Sequence, residues 1–311
     1  MTATLTKPPT EDSPSRHTTR ARGTSLKLQQ RYGYLFIAVP LLLFLVFAVI
    51  PVVMALVMSF TDYSVIGTTT WVGGANFAAL IDDPYFWLSL KNTAIYTALF
   101  VPLGLTVALG TALIINRRIR AVKLFRTFFY IPVVCSSVAA ATIWYWLLNP
   151  DFGLINIALG WIGIDGPAWL YSSRWAMVAI VIMSAWATFG TNMMIFLGGL
   201  QGISRDLLEA ARIDGANVLQ RFWHVTIPQL QRTMFLVTTL LIIGAFQVFD
   251  QAFVLTKGGP GNSTLTLVYY IYNEGFGRLR MGYASSMSFV LFLIIIVFSL
   301  VNARITNKAQ D

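Results

Sequence analysis

Two sets of polar side chains interrupt a chain that is otherwise strongly apolar. Ser184, Thr188 and Asn192 recur every four residues, so a helix would carry them on one face. Gln247, Asp250 and Gln251 stand at i, i+3 and i+4, which again places them on or near one face. Hydroxyl and amide groups arranged this way can replace the hydrogen bonds that a polyol loses on leaving water. A structural reading competes, because such groups also join neighbouring helices, and Ser and Thr bond back to their own backbone. The make-up of a reaction centre is missing. Cys135 is the single cysteine and lies in an apolar run, so neither a disulfide framework nor a cysteine metal site can be assembled. His17 and His224 are far apart and lack clustered carboxylates. No G-x-x-x-x-G-K-[ST] phosphate loop occurs, and Lys257-Gly258-Gly259-Pro260-Gly261 has the wrong order for one. The expectation is a chain with no catalytic residue, metal or cofactor of its own.

Composition defines the elements that must hold these groups. Of 311 residues, 56% are hydrophobic and 11% charged, with mean hydropathy +0.67; an ordinary soluble domain carries roughly 25% charged residues. The apolar residues come in blocks rather than in the alternation of half-wet elements. Six blocks fall at about residues 34–60, 92–115, 127–148, 175–200, 233–255 and 283–301, each near the roughly 20 residues needed to cross hydrocarbon. The predicted fold class is therefore all-α, a polytopic membrane protein with six transmembrane helices over residues 34–303. Asp250 falls inside the fifth block, where a carboxylate is costly, so it should face the bundle interior or an aqueous cavity. The first block has 27 residues without a charge, with Pro40 and Pro51 as possible kinks, and is longer than the roughly 7 to 15 residues of a signal-peptide core. Residues 1–33 read as a disordered cytoplasmic tail and 304–311 as a second one.

Lys and Arg set the orientation. Seventeen of the 22 fall in the two tails, the 116–126 loop with Arg117, Arg118, Arg120, Lys123 and Arg126, and the 201–232 loop; Lys91, Arg174, Lys257, Arg278 and Arg280 occupy the other side. Acidic residues show no such bias, which is how the positive-inside rule behaves, and both termini are expected to be cytoplasmic. The net charge of +9 is then a topology signal rather than a nucleic-acid footprint. Trp71, Trp87, Trp144, Trp146, Trp161, Trp169 and Trp175 lie near the opposite ends of the blocks, as an interfacial aromatic belt requires.

The 201–232 loop, QGISRDLLEAARIDGANVLQRFWHVTIPQLQR, is too polar to span and too long for a minimal turn. Ser204 can cap a helix running through Leu207 to Ile213, and Gly215 then ends or bends it. Leu207, Leu208 and Ala211 give this short helix an apolar flank, suited to a lipid interface or to a groove on a cytoplasmic partner.

Glu209, Ala210, Ala211, then Gly215, then Ile227 and Pro228 resemble the EAA signature of bacterial ABC importer permeases. Its usual form is EAA, three residues, G, nine residues, I, one residue, L, P, and the ending here reads as shortened, with Ile227 directly before Pro228. The segment TKGGPGNSTLTLVYYIYNEGFGRLRMGYASSMSFVL, residues 256–291, is similar to the same group, and the likeness runs from about residue 30 onward. Within that group the chain looks like carbohydrate-uptake permeases of the larger maltose permease subunit and glycerol phosphate permease type. The resemblance implies the type I importer fold, with Glu209, Ala210, Ala211 and Gly215 in a coupling helix that sits in a cleft of an ATPase subunit. It also implies a second permease chain forming a heterodimer, two ATPase subunits holding ATP and magnesium, and an extracytoplasmic solute-binding protein. Ser184, Thr188, Asn192, Gln247 and Asp250 are the expected substrate pathway. No Arg or Lys falls in the middle of a block, which favours a neutral sugar over glycerol phosphate or another small polar solute. An ion-coupled secondary transporter is the alternative of another class; it would need internal symmetry and buried coupling residues.

Overall fold

The computed structural model describes residues 21–116 and 122–308. The expected tail over residues 1–20, Arg117, Arg118 and Arg120 of the basic loop, and residues 309–311 lie outside the described residues. The chain divides into two compact units, residues 1–54 and 55–311.

In the first unit α1 (Ala21–Phe44) passes into a π-helical turn (Leu45–Val49), after which α2 (Ile50–Met58) begins. Residues 21–33 are thus helical, where composition predicted a tail. Leu26, Lys27, Leu28, Gln29 and Gln30 are all strong helix formers, and their propensity extends the apolar helix backwards. Tyr32–Met58 is long and apolar enough to cross a membrane.

The second unit contains α3 (Ala75–Asp82), α4 (Pro84–Ile115), α5 (Val122–Val134), α6 (Ser137–Leu147), α7 (Leu154–Trp161) and α8 (Ala176–Gln201). The short α9 (Arg205–Ile213), α10 (Val218–Arg221) and α11 (Ile227–Gln229) follow, then α12 (Gln231–Phe246), α13 (Leu267–Tyr272) and α14 (Met281–Lys308). The only β-type pairing among the described residues is two isolated bridges, Thr61 with Trp71 and Ser64 with Arg280.

Helix α4 is the spine of this unit, packed on α8, α12 and α13. Its buried residues Phe86, Ser89, Thr93, Tyr96, Phe100, Gly104, Ala108 and Ala112 recur at three or four positions, the stripe expected of a helix with one protein-facing side. Ile95, Leu99 and Ile114 stay exposed, as they can when the surrounding solvent is hydrocarbon. Small residues on the stripe permit close approach. A Cβ on Gly104 would stand 3.1 Å from Leu241 Cδ2 of α12, and one on Gly190 of α8 would press on the Phe129 carbonyl of α5.

Four helices can cross a membrane as single pieces: Tyr32–Met58, Pro84–Ile115, Ala176–Gln201 and Met281–Ile305. Two bent pairs, Leu124–Val134 with Ser137–Leu147 and Val218–Gln229 with Gln231–Phe246, bring the number to six if each pair is one span. The third block is therefore broken by 97° at Cys135 and Ser136 rather than straight. Pro132 lacks the N–H that would continue the ladder, and Ser136 is held at ψ 134°, outside the helical region. The fifth block also departs from one helix over residues 233–255. Helix α12 stops at Phe246, Gln247 to Phe249 are not helical, and a π-helical turn covers Ala252–Thr256. The last helix runs on to Lys308, into the expected second tail.

Candidate functional site

The two breaks face one open cavity of about 640 Å³. The first contributes Pro132, Cys135 and Ser137, and the second contributes Gln247, Phe249, Asp250 and Gln251. Helix α8 supplies Ser184, Thr188 and Asn192, and α4 supplies Tyr96 and Phe100. All five residues expected on a substrate pathway thus line one space, although they come from two stretches more than fifty residues apart. Ser137 joins them unforeseen: its Oγ donates to Asp250 Oδ2 at 2.5 Å and ties one break to the other. Ser136-Ser137 shortly after Pro132 is a break-and-restart signal that sequence reading had available.

The helical stripe uses part of its hydrogen-bonding capacity internally. Thr188 Oγ1 donates to the Ser184 carbonyl at 2.9 Å and Asn192 Nδ2 donates to the Thr188 carbonyl at 3.1 Å. Their oxygens keep lone pairs for a ligand. Ser184 is 1% exposed and its Oγ has no hydrogen bond of ordinary geometry, with the Tyr96 hydroxyl nearby. Asp250 is the one ionisable carboxylate in the lining, and no Lys or Arg shares it. Among the described residues no group of three His, Cys, Asp or Glu could hold a metal ion.

The 201–232 segment is a helical elbow. Ser204 caps α9 by accepting from the Asp206 N–H at 3.2 Å. At the other end the Ala216 N–H reaches the Ala211 carbonyl at 3.0 Å, and the Gly215 N–H reaches that of Arg212 at 3.1 Å. This pair of bonds is the Schellman closure, which needs a left-handed residue, and Gly215 supplies it at φ +82°. Two residues later Asn217 and Gln220 exchange side-chain and backbone bonds, both at 2.8 Å, in a capping box that starts α10. The expected apolar flank of α9 is divided: Leu208 packs against the core, whereas Leu207, Ala210 and Ile213 are exposed together with Glu209. Adjacent helical residues point about 100° apart, so Leu207 and Leu208 cannot share a face. The motif ending also needs revision. Nine residues separate Gly215 from Val225, so Val225, Ile227 and Pro228 fill the positions of Ile, Leu and Pro, and nothing is shortened.

The opposite end of α4 carries polar groups that sequence reading did not single out. Asp83 caps α4 through the Tyr85 N–H at 2.8 Å and accepts from the Tyr270 and Tyr283 hydroxyls, each at 2.6 Å. Burial works against its ionisation, but these hydrogen bonds outweigh it and hold the carboxyl below its usual range. Burial and the bond to Asp83 push Tyr270 well above its usual range. Asp83-Pro84, an N-cap before a proline at the first helical position, was the available signal. Close by, Glu274 is fully buried and paired with the half-exposed Arg278 at 2.5 Å and Arg280 at 3.1 Å. Asn92 Nδ2 donates to the carbonyls of Asn262 and Leu265, and Thr93 Oγ1 accepts from the Leu267 N–H, which pins the 256–267 turn to α4.

Comparison with known proteins now decides the family. Residues 100–310 match the family of binding-protein-dependent transport system inner membrane components. The chain belongs to that family. It is 36% identical over 285 residues to the probable ABC transporter permease protein YesP of Bacillus subtilis, covering 90% of this chain and 92% of that one. It is 38% identical over 287 residues to the lactose transport system permease protein LacF of Rhizobium radiobacter, covering 89% and 95%. The fold is that of an ABC importer permease. A bacterial ABC transporter involved in the import of the acidic polysaccharide alginate superposes with a TM-score of 0.79 at 23% identity, over 92% of this chain and 99% of that one. As a permease component of this family, the chain is a multi-pass membrane protein of a transporter rather than an ATPase.

Proposed function

We propose that this permease carries a neutral sugar or oligosaccharide through the central cavity, driven by ATP that partner subunits hydrolyse. The observation that carries the reading is the convergence of Ser184, Thr188, Asn192, Gln247 and Asp250 on one cavity at two helix breaks. Irregular backbone at membrane depth is tolerated where it lines a water-filled space, and the groups there are the hydroxyls, amides and carboxylate that suit a polyol. Relatives described as permeases for lactose and for arabinooligosaccharides support the solute class. A phosphate-bearing solute is disfavoured, because the lining holds a carboxylate and no cation.

In this reading Glu209, Ala210, Ala211 and Gly215 couple the bundle to an ATPase subunit. Two such subunits hold ATP and magnesium, a second permease completes a heterodimer, and a solute-binding protein delivers the cargo. The excess of Lys and Arg on the elbow and the two tails supports a cytoplasmic position for them. Closure of the ATPase pair on ATP moves the elbow and turns the cavity outward; hydrolysis and separation return it inward.

The test is reconstitution of the chain with its co-purifying permease, ATPase and binding protein. ATPase stimulation is then measured with lactose, an arabino-oligosaccharide, a malto-oligosaccharide and glycerol phosphate. Stimulation by a neutral sugar that depends on the binding protein is expected. Stimulation by glycerol phosphate alone would overturn the solute class, and uptake that follows an ion gradient without ATP would overturn the importer reading.

A further inference from the structure

A second cavity, of about 610 Å³, lies beyond the first on the same seam. Helix α6 and the turn Ala252–Thr256 contact each other along this seam. Their leading residues line the central cavity: Ser137 and Ala140 on one, Asp250 and Gln251 just ahead of the other. Their later residues, Thr142 and Tyr145 on α6 and Val254 to Lys257 opposite, line the second cavity. The two spaces are therefore in series. Along each element Ala141 and Ala252 stand between the residues of the two linings, and both are fully buried in one apolar cluster.

The second cavity lies toward the start of α4, at the end of the bundle away from the elbow. Thr256 on its wall bonds to Thr264 at 2.7 Å, and the turn containing Thr264 is held to α4 through Asn92. Its lining differs in kind from that of the central cavity. Tyr145 and Tyr171 stand with hydroxyls 3.1 Å apart and are 38% and 58% exposed. Leu170 adds an apolar wall, and Thr256 and Lys257 add a hydroxyl and an ammonium group. Two accessible aromatic rings can cover the C–H face of a pyranose, while their hydroxyls and the ammonium bond to its rim.

We infer that this second cavity is a receiving subsite for a carbohydrate ring, occupied before the cargo reaches Asp250. The inference rests on the sugar-importer reading above, and names where the cargo first meets this chain. The aromatic pair orients the ring, and opening of the Ala141–Ala252 seam passes it inward.

The test uses the reconstituted importer with lactose, an arabino-oligosaccharide and a malto-oligosaccharide as probes. In the double variant Tyr145→Phe with Tyr171→Phe, the cargo concentration giving half-maximal ATPase stimulation should rise about tenfold, as two lost hydrogen bonds predict. Tyr171→Cys in a Cys135→Ala background should react with a membrane-impermeant maleimide, and the stimulating sugar on its binding protein should slow that reaction. Protection by unloaded binding protein to the same degree would overturn the subsite and mark Tyr171 as a protein contact. So would an unchanged half-maximal concentration in the double variant together with unchanged labelling. If wild type responds to none of the three sugars, the sugar-importer reading itself has failed, and that result is separate from either outcome at Tyr171.

Discussion

The hydrogen bond that ties the central cavity together, Ser137 to Asp250, joins residues 113 apart in the chain. Between Ser204 and Gln220, by contrast, the bonds that shape the elbow close within five residues. One region is made by packing distant helices until polar groups meet, and the other by local capping rules. The first should be sensitive to side-chain volume far from it. The second should respond only to changes in its own backbone and caps.

Mutations can break or sharpen this contrast. The largest effect is expected from Asp250→Asn, which weakens a charge-assisted bond worth about 1.5–3 kcal/mol and removes the carboxylate of the cavity. Transport in proteoliposomes should fall tenfold or more, and transport and cargo-stimulated ATPase at wild-type levels would remove Asp250 from the pathway. Next comes Gly190→Ala. Its Cβ would meet the Phe129 carbonyl, so α5 must shift and stability should fall by about 1–3 kcal/mol, read as a lower melting temperature of the purified complex. Transport should suffer as well, because α5 carries one wall of the cavity.

Gly215→Val is a change of the second kind. No atom crowds the position, so the cost is the left-handed backbone alone, about 1–2 kcal/mol. Membrane insertion should be kept and melting should fall by no more than this backbone cost, while ATP hydrolysis loses its link to transport; Gly215→Asn, which tolerates that backbone, should retain most of the coupling. Normal uptake by Gly215→Val would separate the elbow from coupling. The smallest effect concerns pH. The Asp83 carboxyl is depressed in the folded protein, so its contribution is present above the unfolded value of about 3.9 and is lost as pH falls through the folded one. Asp83→Asn should lower the melting temperature of the purified complex slightly at neutrality, where the carboxylate contributes, and flatten the stability profile below about pH 4, where wild type loses that contribution.

The same contrast explains what could be read from sequence. The first half of the elbow was legible because Ser204 and Gly215 act through rules of fixed spacing, whereas the capping box of Asn217 and Gln220 was not singled out. Apolar block length located the long helices α4, α8 and α14, since crossing hydrocarbon demands it. The breaks after Val134 and Phe246 were not read as breaks, although Ser136-Ser137 after Pro132 signals the first. Hydropathy averages over them, and Pro132 or Gln247 alone fits a continuous helix as well as an interrupted one. The polar stripe on α8 was visible from its spacing, but Ser137 became the partner of Asp250 only through tertiary packing. Asp83 with Tyr270 and Tyr283 was hidden for the same reason, being assembled across nearly two hundred residues.

The elbow's caps also bear on the order of assembly. Loops of a few residues close in well under a microsecond, whereas contacts of long sequence separation wait for the chain between them to be organised. Ser204 through Gln220 can therefore take shape as soon as they are synthesised, before Asp250 exists to accept from Ser137. The bond from Asn92 to Leu265, 173 residues apart, must come later still. The protein thus completes its mechanical joint early and its solute cavity late, and a chain truncated before Asp250 would carry a formed elbow beneath an unclosed bundle.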